Sequence, residues 1–238
     1  MKPFLQYLLE AGQAAGSLEV ATLPLPHARA YAEAQFQKHQ HLSLDAALPH
    51  FNQSYTTAQA LAQLGFAKRA EMPVIDEKDV HDLQWRLMGG FLDISEPHAK
   101  ENAANPFPQG IDGDRAQRWL KDGLPQFDGG KPGDDRIKCS LTTVAAGKLK
   151  PIQKQIYFDK CIDASAKSGT AKATAFLKGA TLVASTDHFI IDGHHRWMSA
   201  NLIDPAMELK VLQVDLPIRT LLPLTLTYSD AIGNKRNA

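Results

Sequence analysis

Asp192-Gly193-His194-His195-Arg196 sets five polar or glycine residues between the apolar run Phe189-Ile190-Ile191 and a further apolar stretch that opens at Trp197. Asp-Gly after such a run is a turn signal. The order strand, tight turn, helix puts His194-His195-Arg196 in a first helical turn, where backbone N–H groups lack intrahelical partners. Those donors and the helix dipole attract anions. Gly193 lets a phosphate approach the backbone without a Cβ in the way. Arg196 can grip two phosphate oxygens at once. The imidazoles of His194 and His195 can donate a hydrogen bond or take a proton near neutral pH. Asp192 can cap the helix, hold a metal ion or act as a base.

Each of these residues also has an ordinary explanation: an N-cap, two surface histidines, a surface cation. Their compression into one strand-to-helix junction is what favours chemistry, because binding residues concentrate on such connections. A zinc site built on His194 and His195 is disfavoured. Adjacent helix positions diverge by about 100°, so two neighbouring histidines rarely share one ion. His188 lies at the far end of the same strand.

The elements that must hold this turn are read outward from it. Ala180–Ser185 and His188–Ile191, joined by Ser185-Thr186-Asp187, read as a β-hairpin. A helix follows Asp192 to about Leu202, and Leu209–Val214 is a further strand. Upstream, Ile137–Val144 suits a strand. Pro151 then opens a helix with Ile152, Ile156, Cys161 and Ile162 facing inward, ended by Gly169. Arg219–Ile232 reads as a last helix or extended tail, complicated by Pro223. Asp76 caps a helix from about Glu77 to Met88, stopped by Gly89-Gly90, with Val80, Leu83, Leu87 and Met88 as its apolar face and Trp85 either extending that face or exposed. Met72-Pro73-Val74-Ile75 before it is extended.

Residues 1–66 read as helical: a short amphipathic helix carrying Leu5, Leu8 and Leu9, an alanine-rich helix after Pro24 and Pro26, and a short one capped by Thr56 or Thr57 and ended by Gly65. Residues 95–135, rich in proline and glycine, form a loop region with one short helix near Arg115–Lys121. Asp112-Gly113-Asp114 lacks the remaining oxygen ligands of a calcium loop, and Gly129-Gly130-Lys131 lacks the spacing of a phosphate-binding Walker loop. The expected fold is α/β (α+β): a small mixed sheet flanked by helices, with a helical N-terminal extension over 1–66 and the main domain over 67–238, its core at 137–215.

The chain has 238 residues, is 44% hydrophobic and 22% charged, and carries no formal net charge. An ordinary core is affordable, and a nucleic acid would have to meet a local basic patch rather than a global field. Cys139 and Cys161 show no metal-ligand spacing and read as free thiols. No run reaches transmembrane length, which points to a cytoplasmic protein.

Ile191-Asp192-Gly193-His194-His195-Arg196-Trp197, ending a hairpin and starting a helix, resembles the signature of the ParB/sulfiredoxin superfamily, in its Asp-Gly-His-His-Arg form. Leu149-Lys150-Pro151-Ile152-Gln153 resembles the Pro-x-Gln box that precedes it in many ParB-like domains. The resemblance covers about residues 137–215. It implies a nucleoside triphosphate, ATP or CTP, held with Mg2+. Gly193, His194, His195 and Arg196 would hold the phosphates, Asp192 would serve metal or catalysis, and Gln153, Lys150 and Lys160 would line the nucleotide. His194 stands where sulfiredoxins carry their cysteine, which removes that redox chemistry. No helix-turn-helix follows the motif, so centromere binding is not expected.

The resemblance leaves the reaction open. The leading expectation is a nucleotide-dependent phosphotransferase or nucleotide hydrolase, with a small-molecule acceptor whose pocket would come from residues 1–135. A metal-dependent nuclease acting on DNA is an alternative. So is a non-catalytic, nucleotide-regulated binding protein whose N-terminal helices dock a protein partner. A mobile-element or phage origin fits such a protein, although no residue shows it.

Overall fold

The computed structural model describes residues 18–92, 109–122 and 136–236. The expected Leu5/Leu8/Leu9 helix, most of the 95–135 loop region and Gly129-Gly130-Lys131 lie outside them. The chain is mixed α and β. Among the described residues its α-helices are α1 (Leu25–Gln40), α2 (Leu44–Ala47), α3 (Phe51–Ala62), α4 (Glu77–Gly89), α5 (Asp114–Asp122), α6 (Phe158–Ser168), α7 (Thr170–Gly179), α8 (His194–Ile203) and α9 (Ile218–Ala231). Its strands are β1 (Cys139–Ala145), β2 (Lys150–Pro151), β3 (Thr181–Ser185), β4 (Phe189–Asp192) and β5 (Glu208–Val214), in one sheet ordered β1-β5-β3-β4-β2. Strand β3 pairs antiparallel with β4, with Val183 opposite Asp192, and parallel with β5, with Leu182 opposite Val211.

The chain divides into two compact units, and neither is a continuous piece of sequence. One comprises residues 1–66, 144–180 and 193–209; the other comprises 67–143, 181–192 and 210–238. The described residues 18–66 therefore fall in the same compact unit as residues 144–180 and 193–209.

In the first unit, α3 begins at Phe51, earlier than a Thr56 or Thr57 cap would allow. Phe51, Tyr55, Ala58 and Ala62 recur at helical spacing and are buried, so the apolar stripe fixes the start of the helix. Both threonines sit inside it. The Phe158 ring of α6 meets Tyr55 edge-on at 5.4 Å, Tyr31 at 6.0 Å and Phe51 at 6.1 Å. Such edge-to-face pairs add to the burial of large rings. The Tyr55 hydroxyl donates to the Leu23 carbonyl at 2.7 Å, so its polar end is satisfied inside that core.

Pro151 does not open a helix. It closes β2, and residues 152–157 run as a connector before α6 starts at Phe158. Proline suits the edge of a strand as well as a first helical turn, because its missing N–H is unneeded in both. Ile152, Ile156, Cys161 and Ile162 are nonetheless all buried, as expected. Gly169 ends α6 at φ 84° and leads straight into α7, a helix that the sequence pattern did not reveal.

In the second unit, Asp76 and Asp79 form a capping box at the start of α4, and Gly90 ends it in the left-handed region at φ 72°. Val80, Leu83 and Leu87 are buried, whereas Met88 and Trp85 are more than half exposed. Met88 follows Leu87 by one position and so points away from the stripe. Trp85 stacks on Phe91 at 4.5 Å. The Glu77 carboxylate accepts both the backbone N–H and the hydroxyl of Thr181 at 2.8 Å, which ties the start of β3 to α4. Helix α9 is regular through Pro223, which settles helix over tail, and most of its side chains are buried. Tyr228 donates to Asp82 at 2.8 Å, and the Ser229 hydroxyl bonds both backbone groups of Val74. Among the described residues, no helix is long and apolar enough to cross a membrane.

Candidate functional site

Helix α8 starts where the sequence places it. Gly193 is its N-cap, in the left-handed region at φ 90° and ψ 24°. An L side chain there would cost roughly 1–2 kcal/mol, so the geometry itself demands glycine. Asp192 is the last residue of β4 and not the cap, and Gly193 has no side chain to cap with. No acidic residue lies in the first turn of α8 itself, and Asp192 immediately precedes its cap.

The two histidines have defined partners in the connector. The buried His194 accepts the Ile152 backbone N–H at Nε2, at 3.2 Å. His195 accepts the Tyr157 backbone N–H at Nε2, at 3.1 Å, and its ring lies near-parallel to the Tyr157 ring with centroids 5.9 Å apart. An acceptor nitrogen carries no proton, so both imidazoles are neutral in this arrangement with the proton on Nδ1. Nε2 of each histidine is thus engaged by the connector. From Trp197 to Leu202 α8 is buried and its polar side chains are hydrogen-bonded. The Trp197 indole donates to the Ala146 carbonyl at 3.0 Å, and the Ser199 hydroxyl contacts the Cys161 carbonyl at 2.8 Å.

The connector is also held from its other side. Phe66 N–H donates to the Ile152 carbonyl at 2.8 Å, and Val20 N–H to the Ile156 carbonyl at 2.8 Å. A Cβ on Gly65 would lie 2.7 Å from the Gln153 carbonyl oxygen, so the chain passes there at a distance only glycine permits. Gln153 is buried and its side-chain amide donates to the Gln155 carbonyl, which turns it into the loop. From Gly147 to Tyr157 the sequence holds Lys148, Lys150 and Lys154 and no acidic residue. All three lysines are exposed. Lys160 is exposed on α6, with its ammonium 5.2 Å from the Tyr157 ring centroid, a cation–π distance.

The structure thus brings His194, His195 and the Gln153-bearing connector together and sets Lys160 beside Tyr157. Arg196 is half-exposed on the first turn of α8. Tyr157 was not singled out from the sequence; an aromatic midway between Gln153 and Lys160 was the available signal. Two clefts lie in the second unit, one of ≈ 450 Å³ containing Lys138, Cys139 and Asp215 and one of ≈ 620 Å³ at Asp112 and Arg236. Neither includes a residue of the motif. Among the described residues, no group of three or more His, Cys, Asp and Glu side chains is placed to hold a metal ion. Both thiols are held protonated by burial, Cys139 with its value pushed up to about 12 and Cys161 well above the ordinary thiol value. Comparison with family models, with curated proteins and with solved structures gave no match.

Proposed function

We propose that the chain binds a nucleoside triphosphate, ATP or CTP, through the turn Gly193–Arg196, and transfers a phosphate from it to a small-molecule acceptor or to water. The observation that carries this reading is the start of α8. A left-handed glycine leads into a first turn without acidic residues, and the segment Gly147–Tyr157 that leads into and includes the connector tied to that turn holds three exposed lysines and no acid. Backbone amides, Arg196 and the cations Lys150 and Lys160 are the donor set that phosphates require. Gln153 would keep its place beside the nucleotide as part of the connector. Magnesium needs one or two carboxylates when phosphates supply its other ligands, and Asp192 is the carboxylate next to the turn. The resemblance to ParB-like domains supports the same reading.

The engagement of both Nε2 atoms favours a second reading, in which the nucleotide binds for regulation and is not turned over. In that case His194 and His195 would have no catalytic role. A DNA-cutting activity, the third reading, would appear as nicking of plasmid DNA with magnesium or manganese.

Isothermal titration with ATP and with CTP, each with magnesium, tests binding. Arg196→Ala is expected to weaken it about 10- to 100-fold, as for loss of charge-assisted hydrogen bonds. Absence of binding by the wild type sinks the proposal. Tight binding with nucleotide intact after long incubation selects the regulatory reading.

A further inference from the structure

We infer that His194 and His195 are positioning residues, a pair of pins that fix the lysine-bearing connector against the first turn of α8. The inference rests on the nucleotide reading for its functional meaning, but not for its geometry. Adjacent helix positions diverge by about 100°, which makes two neighbouring histidines poor partners for one ion and good partners for two points on one passing chain. Their Nε2 atoms take the backbone N–H groups of Ile152 and Tyr157. Five residues of extended chain span up to about 16 Å, so the pins grip the connector near its two ends. Between them lie Gln153 and Lys154, and Lys150 precedes the first.

The arrangement explains why the motif carries two histidines in succession. With a single imidazole, one end of the connector would keep its bond to Phe66 or Val20 but lose its tie to α8. The spacing between the connector cations and the Gly193–Arg196 turn would then vary, and a binding site loses affinity when its parts are not preorganised. The backbone N–H groups of Ile152 and Tyr157 also need an acceptor, because a buried donor left without one is costly. Nε2 supplies it without adding charge.

The test separates acceptor from shape and from phosphate contact. His195→Gln places a carbonyl oxygen near the Nε2 position, while His195→Leu keeps bulk and removes the acceptor. In the full chain, amide hydrogen exchange at Tyr157 is expected to quicken about tenfold in His195→Leu and to stay within about threefold of wild type in His195→Gln. A long-range proton–nitrogen NMR spectrum of the wild type should show both histidines protonated on Nδ1 and bare at Nε2. Protonated Nε2 atoms, or Tyr157 exchange unchanged in His195→Leu, would overturn the pins. With magnesium ATP as the probe, His195→Leu should weaken binding about tenfold and His195→Gln about twofold. Equal losses in the two variants would mean that the imidazole itself touches the phosphates, and would overturn the positioning role. If wild type binds neither ATP nor CTP, the nucleotide proposal fails, while the exchange and NMR arms still decide whether the pins exist.

Discussion

Gly65→Ala is the sharpest test of how tightly the connector is held. The added Cβ would stand 2.7 Å from the Gln153 carbonyl oxygen, 2.9 Å from its carbonyl carbon and 3.1 Å from the Ala62 carbonyl oxygen. All three are backbone atoms, and ordinary contact begins at 3.4 Å. No side-chain rotation can relieve the clash, so the connector must retreat by roughly 0.7 Å in a region packed like a solid. Overpacking of this kind costs about 1–3 kcal/mol. The adjacent Phe66-to-Ile152 hydrogen bond would be strained or lost, adding about 1 kcal/mol. Alanine restricts the unfolded chain and returns about 0.4–1 kcal/mol. The net expectation is a loss of about 1–3 kcal/mol, or a Tm lower by about 2–12 °C for a chain of this size. Gly179→Ala is the matched control: that glycine ends α7 with nothing within 4 Å of its added Cβ. It should be neutral or stabilising by up to about 1 kcal/mol. Thermal unfolding of both variants, with amide exchange at Phe66 and Ile152, reads the outcome. A Gly65→Ala protein that melts with wild type and keeps both amides protected would refute the close-packed connector.

Three further outcomes are expected. Burial raises Tyr31 to about 12, Tyr55 and Tyr228 further, Cys139 to about 12 and Cys161 well above its ordinary value. Above about pH 9 the unfolded chain therefore binds fewer protons than the folded one, and Tm should hold from pH 7 to 9 and fall beyond it; a Tm constant to pH 11 contradicts this. The Asp230 carboxylate is fully buried against Arg236, and burial raises it while the guanidinium opposes the shift. Arg236→Ala should cost about 3 kcal/mol and Asp230→Asn/Arg236→Ala distinctly less, as read by urea denaturation; equal costs would show that the charge is not the cause. Asp76→Ala removes one half of the α4 capping box and should cost about 1 kcal/mol in the same assay, with no change in the denaturant slope.

What could be read in advance was whatever has a local signature. The hairpin carrying Ile190 and Ile191, the turn at Gly193, the cap at Asp76 and the stop at Gly90 each arise within a few residues, and each lies where its signature put it. The mixed α and β architecture follows from those elements. The start of α6 was misplaced because Pro151 satisfies two rules at once, and what decides between them is the sheet beside it. Helix α7 went unnoticed because it buries only Ala173 and Leu177, too few positions to make a stripe. The role of the histidine pair was hidden for a different reason. Imidazole-to-backbone bonds over some 40 residues leave no periodicity, and the same two letters spell a metal ligand, a base or a surface residue until their partners are seen.

The Phe158 ring has a consequence for how the protein is made. Its partners Tyr31, Phe51 and Tyr55 leave the ribosome roughly 100–130 residues before it does. At about 5–20 residues per second, helix α3 waits roughly 5–20 s with its aromatic face exposed. Helix α8, which lays its histidines on the connector, emerges later still. The nascent chain therefore passes through a period in which the aromatic face of α3 has no Phe158 ring to close on. A chaperone that shields apolar helix faces has its most useful moment then, and slowing translation between codons 66 and 158 should lower the soluble yield.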